Sequence, residues 1–300
     1  MSDFILKTGG NSVLIGKHYY KGYFDINSDE LIKVTRRDAR HDEFKWLERI
    51  REIKNYKKYY SIPDELSYLI SPSHKFYKHV RQITLDYKMT IFHEDLEVCF
   101  VNYAGDKDIQ ETLSDMIDGT IYPIWRNYRD IYIFAKEVME ALIYLHQHKL
   151  CHLDVKPENI VMNTKKRTFK LIDFGFTSAE PFTDYIKDPC GTPGYFPKNF
   201  KFDRTTEWLP FTNANDMTPV KGVIPMNKDP KLVYKIDSYS FGRVLYFVRH
   251  VYETYGIPGC FPWWTKNSKQ KLYQIINYLL ENDVHERKTI KECYELVINE

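Results

Sequence analysis

Between Asp130 and His148 apolar side chains recur every three or four residues, at Ile131, Phe134, Ala135, Val138, Leu142 and Leu145. That period predicts a helix with one broad stripe that must be covered. Downstream the period shortens. Asn159-Ile160-Val161-Met162 and Phe169-Lys170-Leu171-Ile172 are β-prone runs on either side of the polar Asn163 to Thr168, which predicts a hairpin. In the N-terminal third, Glu30-Leu31-Ile32-Lys33-Val34 and Val98-Cys99-Phe100-Val101 predict strands, the second a buried one. Phe44, Leu47 and Ile50 share one face of a predicted helix that also carries Glu43.

The helix delivers the chain to His152-Leu153-Asp154-Val155-Lys156-Pro157-Glu158-Asn159, and the hairpin delivers it to Asp173-Phe174-Gly175. A hairpin brings its open ends together, so Asn159 and Asp173 become neighbours. An amide and a carboxylate supply the hard oxygen ligands that Mg²⁺ prefers, with phosphate oxygens and water completing the shell. Asp154, on the loop before the hairpin, is placed to receive a proton from an incoming hydroxyl. Lys156 can set its ammonium against a transferring phosphoryl group.

At these positions the chain resembles the eukaryotic-type Ser/Thr protein kinase family, whose catalytic loop reads His-Arg-Asp-x-x-x-x-Asn and whose metal motif is Asp-Phe-Gly. The resemblance implies an α+β, bilobal protein kinase-like fold. A small β-rich N-lobe would take residues 1–102 and a larger, mainly helical C-lobe residues 103–300, together one catalytic domain. It implies ATP and Mg²⁺ as cofactors and a protein substrate with a Ser or Thr acceptor. Asp154 would be the catalytic base, Asn159 and Asp173 the metal ligands, and Lys156 the γ-phosphate contact. Gly191-Thr192-Pro193-Gly194-Tyr195 resembles the run that closes the activation segment, where Thr192 would hydrogen-bond Asp154 and Lys156. Asp237-Ser238-Tyr239-Ser240-Phe241-Gly242 is similar to the start of the buried central helix, whose Asp accepts backbone N–H bonds from the catalytic loop. Asp283 to Arg287 resembles the Asp-x-x-x-Arg turn before the last helices, so the likeness runs from about residue 90 to residue 300.

The family's Gly-x-Gly-x-x-Gly loop is not present as written. Gly9, Gly10 and Val13, followed by Gly16, are assigned to cover the phosphates, with a plain β-turn as the other reading and Gly16 to Gly22 as a second candidate. Lys33 is the expected amine for the α- and β-phosphates and Glu43 its expected ion-pair partner, with Glu48 and Glu52 as alternatives. If so, Leu47 would stack toward Phe174 and His152. Val101 would guard the back pocket, Asn102 and Ala104 would offer backbone groups to adenine, and Asp108 or Asp106 would reach the ribose.

Three departures from the pattern carry consequences. Leu153 replaces the Arg whose guanidinium would pair with a phosphate on the activation segment, so activity is expected not to require phosphorylation there, although Thr177, Ser178, Thr183 and Tyr185 are available. Phe196-Pro197-Lys198 replaces Ala-Pro-Glu, removing the carboxylate that would pair with Arg287. The stretch at about 198–234, containing Trp208-Leu209-Pro210-Phe211, is longer than the family needs and reads as an insertion that shapes a partner groove or simply decorates the surface.

Composition narrows the alternatives. The chain has 300 residues and a formal charge of +2, which leaves no electrostatic footprint for nucleic acid. Residues 1–7 are too short in apolar run for a signal peptide and no later run spans a bilayer, so no membrane insertion and an intracellular, cytoplasmic location are expected. Five cysteines without metal-ligand spacing fit a reducing compartment. His146 and His148 are expected to cap a helix end, and Trp263-Trp264 to pack the lower lobe. A monomer is expected. The abundance of Tyr, Asn, Lys and Ile is compatible with a large DNA virus or an AT-rich protist genome; a viral source would make the location host cytoplasm or virion. A pseudokinase scaffold and a small-molecule kinase of similar fold are the competing functional readings.

Overall fold

The computed structural model describes residues 5–9, 12–15, 30–36, 43–62, 68–70, 96–102, 107–120, 125–180, 182, 191–192, 194–197, 200–201, 224–225, 230–256 and 266–298, with backbone alone for residues 5–45, 68–102 and 200–231. The chain divides into two compact units, residues 1–57 with 61–104, and residues 58–60 with 105–300.

The first unit is a five-stranded antiparallel sheet. Strands β1 (Ile5–Gly9), β2 (Ser12–Ile15), β3 (Glu30–Arg36), β4 (Tyr68–Ile70) and β5 (Leu96–Asn102) lie in the order β1-β2-β3-β5-β4. Gly9 pairs with Ser12, so β1 and β2 are joined by the two residues 10 and 11. The strand expected at 30–34 extends to Arg36, and its central position places Lys33 opposite Leu14 on one side and Cys99 on the other. Helix α1 (Glu43–Arg51) buries Leu47 and Ile50, two of the three residues of the expected apolar face. It is followed by the single turn α2 (Tyr56–Tyr59).

The second unit is mainly helical. It opens with β6 (Lys107–Asp108) and α3 (Ile109–Ile117), where Asp108 and Glu111 form a reciprocal capping box. Helix α4 (Tyr128–Gln147) buries all six residues of the expected stripe. It starts two residues before the expected boundary because the Asn127 side chain accepts the amides of Arg129 and Asp130. Strand β7 (Leu150–Cys151) follows at once. The hairpin forms as β8 (Ile160–Asn163) and β9 (Thr168–Leu171), with Ile160 opposite Leu171 and β6 on the outer side of β8. Strand β10 (Ser178–Ala179) returns to pair with β7.

In the stretch expected to be an insertion, β11 (Phe200–Lys201) and β12 (Ile224–Pro225) pair in parallel. Helix α5 (Tyr234–Tyr255) is the longest element described, and it packs on α4 and on α6 (Lys266–Leu279). Gly242 allows this approach: a Cβ there would lie 2.9 Å from Leu279 Cβ and from a Leu280 methyl. Helix α7 (Ile290–Val297), capped by Thr289 and Glu292, closes against α4 and α6.

At the centre Phe134 meets Phe169 edge-on at 4.8 Å and Phe241 at 6.1 Å, all buried. Each such ring stabilises the unit by roughly 1.5–3 kcal/mol through the area it removes from water. Among the described residues no helix is long and apolar enough to cross a membrane.

Candidate active site

The loop between β7 and β8 has no regular secondary structure until a 3-10 turn at Pro157–Asn159, so its shape must come from side chains. Asp237, in the first turn of α5, supplies most of it. Its Oδ2 accepts the backbone N–H of His152 at 2.8 Å and its Oδ1 that of Leu153 at 2.8 Å. The Cys151 thiol donates to the same carboxylate at 3.1 Å, and His146 Nε2 lies 2.9 Å from Oδ2. Burial alone would raise the pKa of this carboxyl. The hydrogen bond and charge of His146, then the charge and backbone N–H of His152, outweigh it and hold the pKa below its ordinary value. A buried, fully partnered anion of this kind fixes the peptide bonds that it grips. Leu153 takes φ 67°, an unusual value for a branched side chain, at the point of that grip.

The imidazole of His152 is buried, with Nε2 3.0 Å from the carbonyl of Ile172 and its ring 5.0 Å from Phe174. Phe174 meets Tyr60 edge-on at 5.6 Å, and the Tyr60 hydroxyl donates to the Ala141 carbonyl at 2.7 Å. Loop, hairpin and α4 are thereby linked through one aromatic column.

On the other side of the loop the polar residues converge. Thr192 Oγ1 donates to Asp154 Oδ1 at 2.6 Å and accepts from Lys156 Nζ at 2.8 Å, while Lys156 Nζ lies 3.0 Å from Asp154 Oδ2. Asn159 Nδ2 donates to both the carbonyl and Oδ2 of Asp154, at 2.9 and 3.0 Å. The amide's oxygen is therefore left as the end that can meet a cation. The amide of Ile172 donates to the Asn159 carbonyl at 3.0 Å, which brings the two ends of the hairpin side by side and sets Asp173 next to Asn159 in the fold. Asp173 is half-buried and has φ 61°. An amide oxygen and a carboxylate, those of Asn159 and Asp173, are hard donors of the type that suits Mg²⁺. Gly191 is required for Thr192 to sit here: its φ is 78°, and a Cβ would lie 2.8 Å from the Leu153 carbonyl oxygen.

This constellation belongs to a chain whose residues 40–200, more than half its length, match the protein kinase domain model. The chain belongs to the protein kinase family. The kinase domain is 24% identical over 216 residues to mouse serine/threonine-protein kinase 36, a match that covers 68% of this chain and 13% of that protein. It is 25% identical over 174 residues to human calcium/calmodulin-dependent protein kinase type IV, covering 55% and 34%. With Caenorhabditis elegans serine/threonine-protein kinase chk-2 it shares 37% identity over 115 residues, covering 38% and 19%. The chain thus spans about a third or less of the length of these relatives.

The other expected site residues of the kinase domain are distributed as follows. Gly9 ends β1 and Val13 lies in β2, across the two-residue connection; Gly10 is outside the described residues, as are Gly16 to Gly22. Lys33 is central in β3 and Glu43 opens α1, with both side chains outside the description. Val101 and Asn102 end β5, paired with Leu31 and Glu30, and Ala104 and Asp106 are not among the described residues. Asp108 Oδ1 accepts the Glu111 amide at 2.8 Å as the cap of α3.

One expectation needs correction. His148 is the C-cap residue of α4, but His146 turns inward to Asp237 instead of serving the helix end, because α4 delivers it to the first turn of α5. Its spacing gave no sign of that, since the partner lies 91 residues away. Arg287, deprived of the usual Glu, is nonetheless almost fully buried. Its Nε donates to the Glu281 carbonyl at 2.9 Å and its guanidinium lies 4.9 Å over the Tyr239 ring. Burial pushes its pKa down to about 10, against the pull of Tyr239, Glu281 and Asp283. An aromatic face and a carbonyl are two of the groups that meet the guanidinium at this corner. Trp263 and Trp264 lie outside the described residues. Cys151 and Cys293 are buried and outside any disulfide, and burial pushes the Cys293 thiol up to about 12.

Proposed function

We propose that the chain is a Ser/Thr protein kinase that transfers the γ-phosphate of Mg-ATP to a hydroxyl on a protein substrate. The observation that carries this reading is the set Asp154, Thr192, Lys156 and Asn159, in which the Asp154 carboxylate, the Thr192 hydroxyl, the Lys156 ammonium and the Asn159 amide nitrogen are tied together at 2.6–3.0 Å. Asp154 orients the incoming hydroxyl and takes its proton. Lys156 neutralises charge on the transferring phosphoryl group, and Thr192 fixes both. This division of labour suits phosphoryl transfer, where positioning and charge neutralisation provide most of the acceleration. Asn159 and Asp173 would hold Mg²⁺, which when bound neutralises the phosphate oxygens.

The two units serve as the small and large lobes, divided near residue 102. In the small lobe Lys33 would engage the α- and β-phosphates with Glu43 as its ion pair. Gly9, Gly10 and Val13 would cover the phosphates, Val101, Asn102 and Ala104 would meet adenine, and Asp108 the ribose. The pairing of Lys156 with Thr192 supports Ser and Thr over Tyr as acceptor.

Incubation with labelled ATP, Mg²⁺ and a generic protein substrate tests the proposal. Label should enter the protein, and Asp154→Asn should lower turnover by roughly 10²–10⁴-fold in a protein that stays folded. Asp173→Asn should abolish the Mg²⁺ dependence of nucleotide binding. A wild-type protein that binds nucleotide without transferring label would instead be a pseudokinase, and label appearing only on a small molecule would end the protein-kinase reading.

A further inference from the structure

Leu153 lies in a cluster of buried apolar side chains that also contains Cys151, Phe182, Phe196, Leu232, Val233, Ile236 and Val284, with Tyr234 packed against it. Phe182 comes from the segment between the metal motif and Thr192, and Phe196 from just beyond Thr192. One cluster therefore holds both ends of the 182–196 stretch and the residue next to the base. Phe182 is 1% exposed and has φ 59°, a left-handed conformation that a bulky aromatic residue adopts only where its surroundings impose it.

The strand before it is fixed as well. Ser178 and Ala179 pair with Cys151 and Leu150, and the Glu180 amide donates to the Lys149 carbonyl at 3.0 Å. The Tyr234 hydroxyl donates to Glu180 Oε1 at 2.8 Å, and the Phe182 ring meets Tyr234 edge-on at 5.3 Å. Among the described residues the cluster itself contains no lysine or arginine; its one polar member is the Cys151 thiol, and beside it stand the Tyr234 hydroxyl and the Glu180 carboxylate, which lies 4.0 Å from Lys149 Nζ.

We propose that Phe182 is a positioning residue whose burial beside Leu153 holds Thr192 on Asp154, replacing a phosphate pairing with an apolar anchor. The inference rests on the kinase reading above and deepens it, since it names what keeps the transfer site assembled. It differs from mere core filling in one respect. A filler would change stability, whereas an anchor changes turnover in a protein that remains folded.

The test uses the full chain after exhaustive phosphatase treatment, comparing wild type with Phe182→Ala and Phe182→Leu. Treated wild type should keep its activity within about twofold. Phe182→Ala should lose up to about 10²-fold in kcat, the scale set by misplacing reacting groups by an ångström, with KM for ATP little changed. Phe182→Leu, which keeps an apolar side chain, should recover most of it. Amide exchange across 191–196 should speed up in Phe182→Ala while the amides of α4 and α5 stay protected.

Wild-type kcat in Phe182→Ala, unchanged exchange in it, or loss of activity on phosphatase treatment would each overturn the proposal. If Phe182→Ala fails to fold, Phe182→Val takes its place under the same criteria. If wild type transfers no phosphate at all, the kinase reading fails. The exchange measurement then decides the anchor separately.

Discussion

A buried carboxylate, Asp237, gathers the backbone amides of His152 and Leu153, the Cys151 thiol and the His146 ring. The Leu153 side chain belongs to an apolar cluster that also contains Phe182 and Phe196 and adjoins that carboxylate through Cys151. The first anchor is directional, so it fixes peptide planes to within the tolerance of a hydrogen bond. The second is non-directional, so it fixes where a segment lies and leaves its fine geometry to Gly191 and Thr192. The 152–159 loop is therefore shaped by a buried charge, while Phe182 and Phe196 are held by burial.

The largest effect should come from forcing the apolar side to behave like the polar one. Leu153→Arg puts a guanidinium among Phe182, Phe196 and Ile236 and should cost about 4 kcal/mol or more, measured by denaturant unfolding. The reverse insult, Asp237→Asn, should cost about 3 kcal/mol at pH 7 by leaving the loop amides and His146 poorly matched. Its pH dependence is diagnostic. The native pKa of Asp237 is depressed, so its contribution is fully present above the ordinary 3.8 and is lost as pH falls through the native value. The stability difference between mutant and wild type should therefore shrink in acid. A difference that grew in acid would contradict the assignment.

Thr192→Val, which keeps shape but removes the bridge between Asp154 and Lys156, should lower kcat about tenfold to a hundredfold and cost about 1–3 kcal/mol by leaving the buried Asp154 Oδ1 without its donor. Tyr239→Leu should cost about 1–2 kcal/mol by removing the face over which the Arg287 guanidinium lies. Smallest of all, Lys291→Ala breaks an exposed pair with Glu295 at 3.8 Å and should shift stability by less than about 0.5 kcal/mol. A large effect there would mean that surface charge matters more to this domain than its two anchors.

How much of this was legible beforehand depended on the range of the interactions. The α4 stripe, the β8–β9 hairpin and the grip of Asp237 on the loop follow from periodicity and from motif resemblance, and the described structure contains all three. Asp154, Lys156 and Thr192 meet as the resemblance implied, although 36 residues separate Lys156 from Thr192. The early start of α4 turned on a local cap at Asn127 that the apolar period alone did not weigh. What stayed hidden has no local signature. Tyr60 reaches Ala141 across 81 residues, His146 reaches Asp237 across 91, and Phe182 stands in a stretch without apolar periodicity. Leu153 was readable as a missing cation, but nothing nearby announced that two phenylalanines would fill the space. Likewise the absent Glu opposite Arg287 was plain, whereas the Tyr239 platform depended on how α5 faces the 283–287 turn.

The Cys293 thiol sits at the seam of α6 and α7, its Sγ within 4.0 Å of the Ile275 carbonyl and its pKa pushed up to about 12. In that state it is neither accessible nor a thiolate, so an alkylating reagent can reach it only when the seam parts. The labelling rate at this one sulfur is consequently a built-in clock for opening of the helical unit. It runs without any engineered probe and can be read by mass spectrometry of the peptide that carries Cys293.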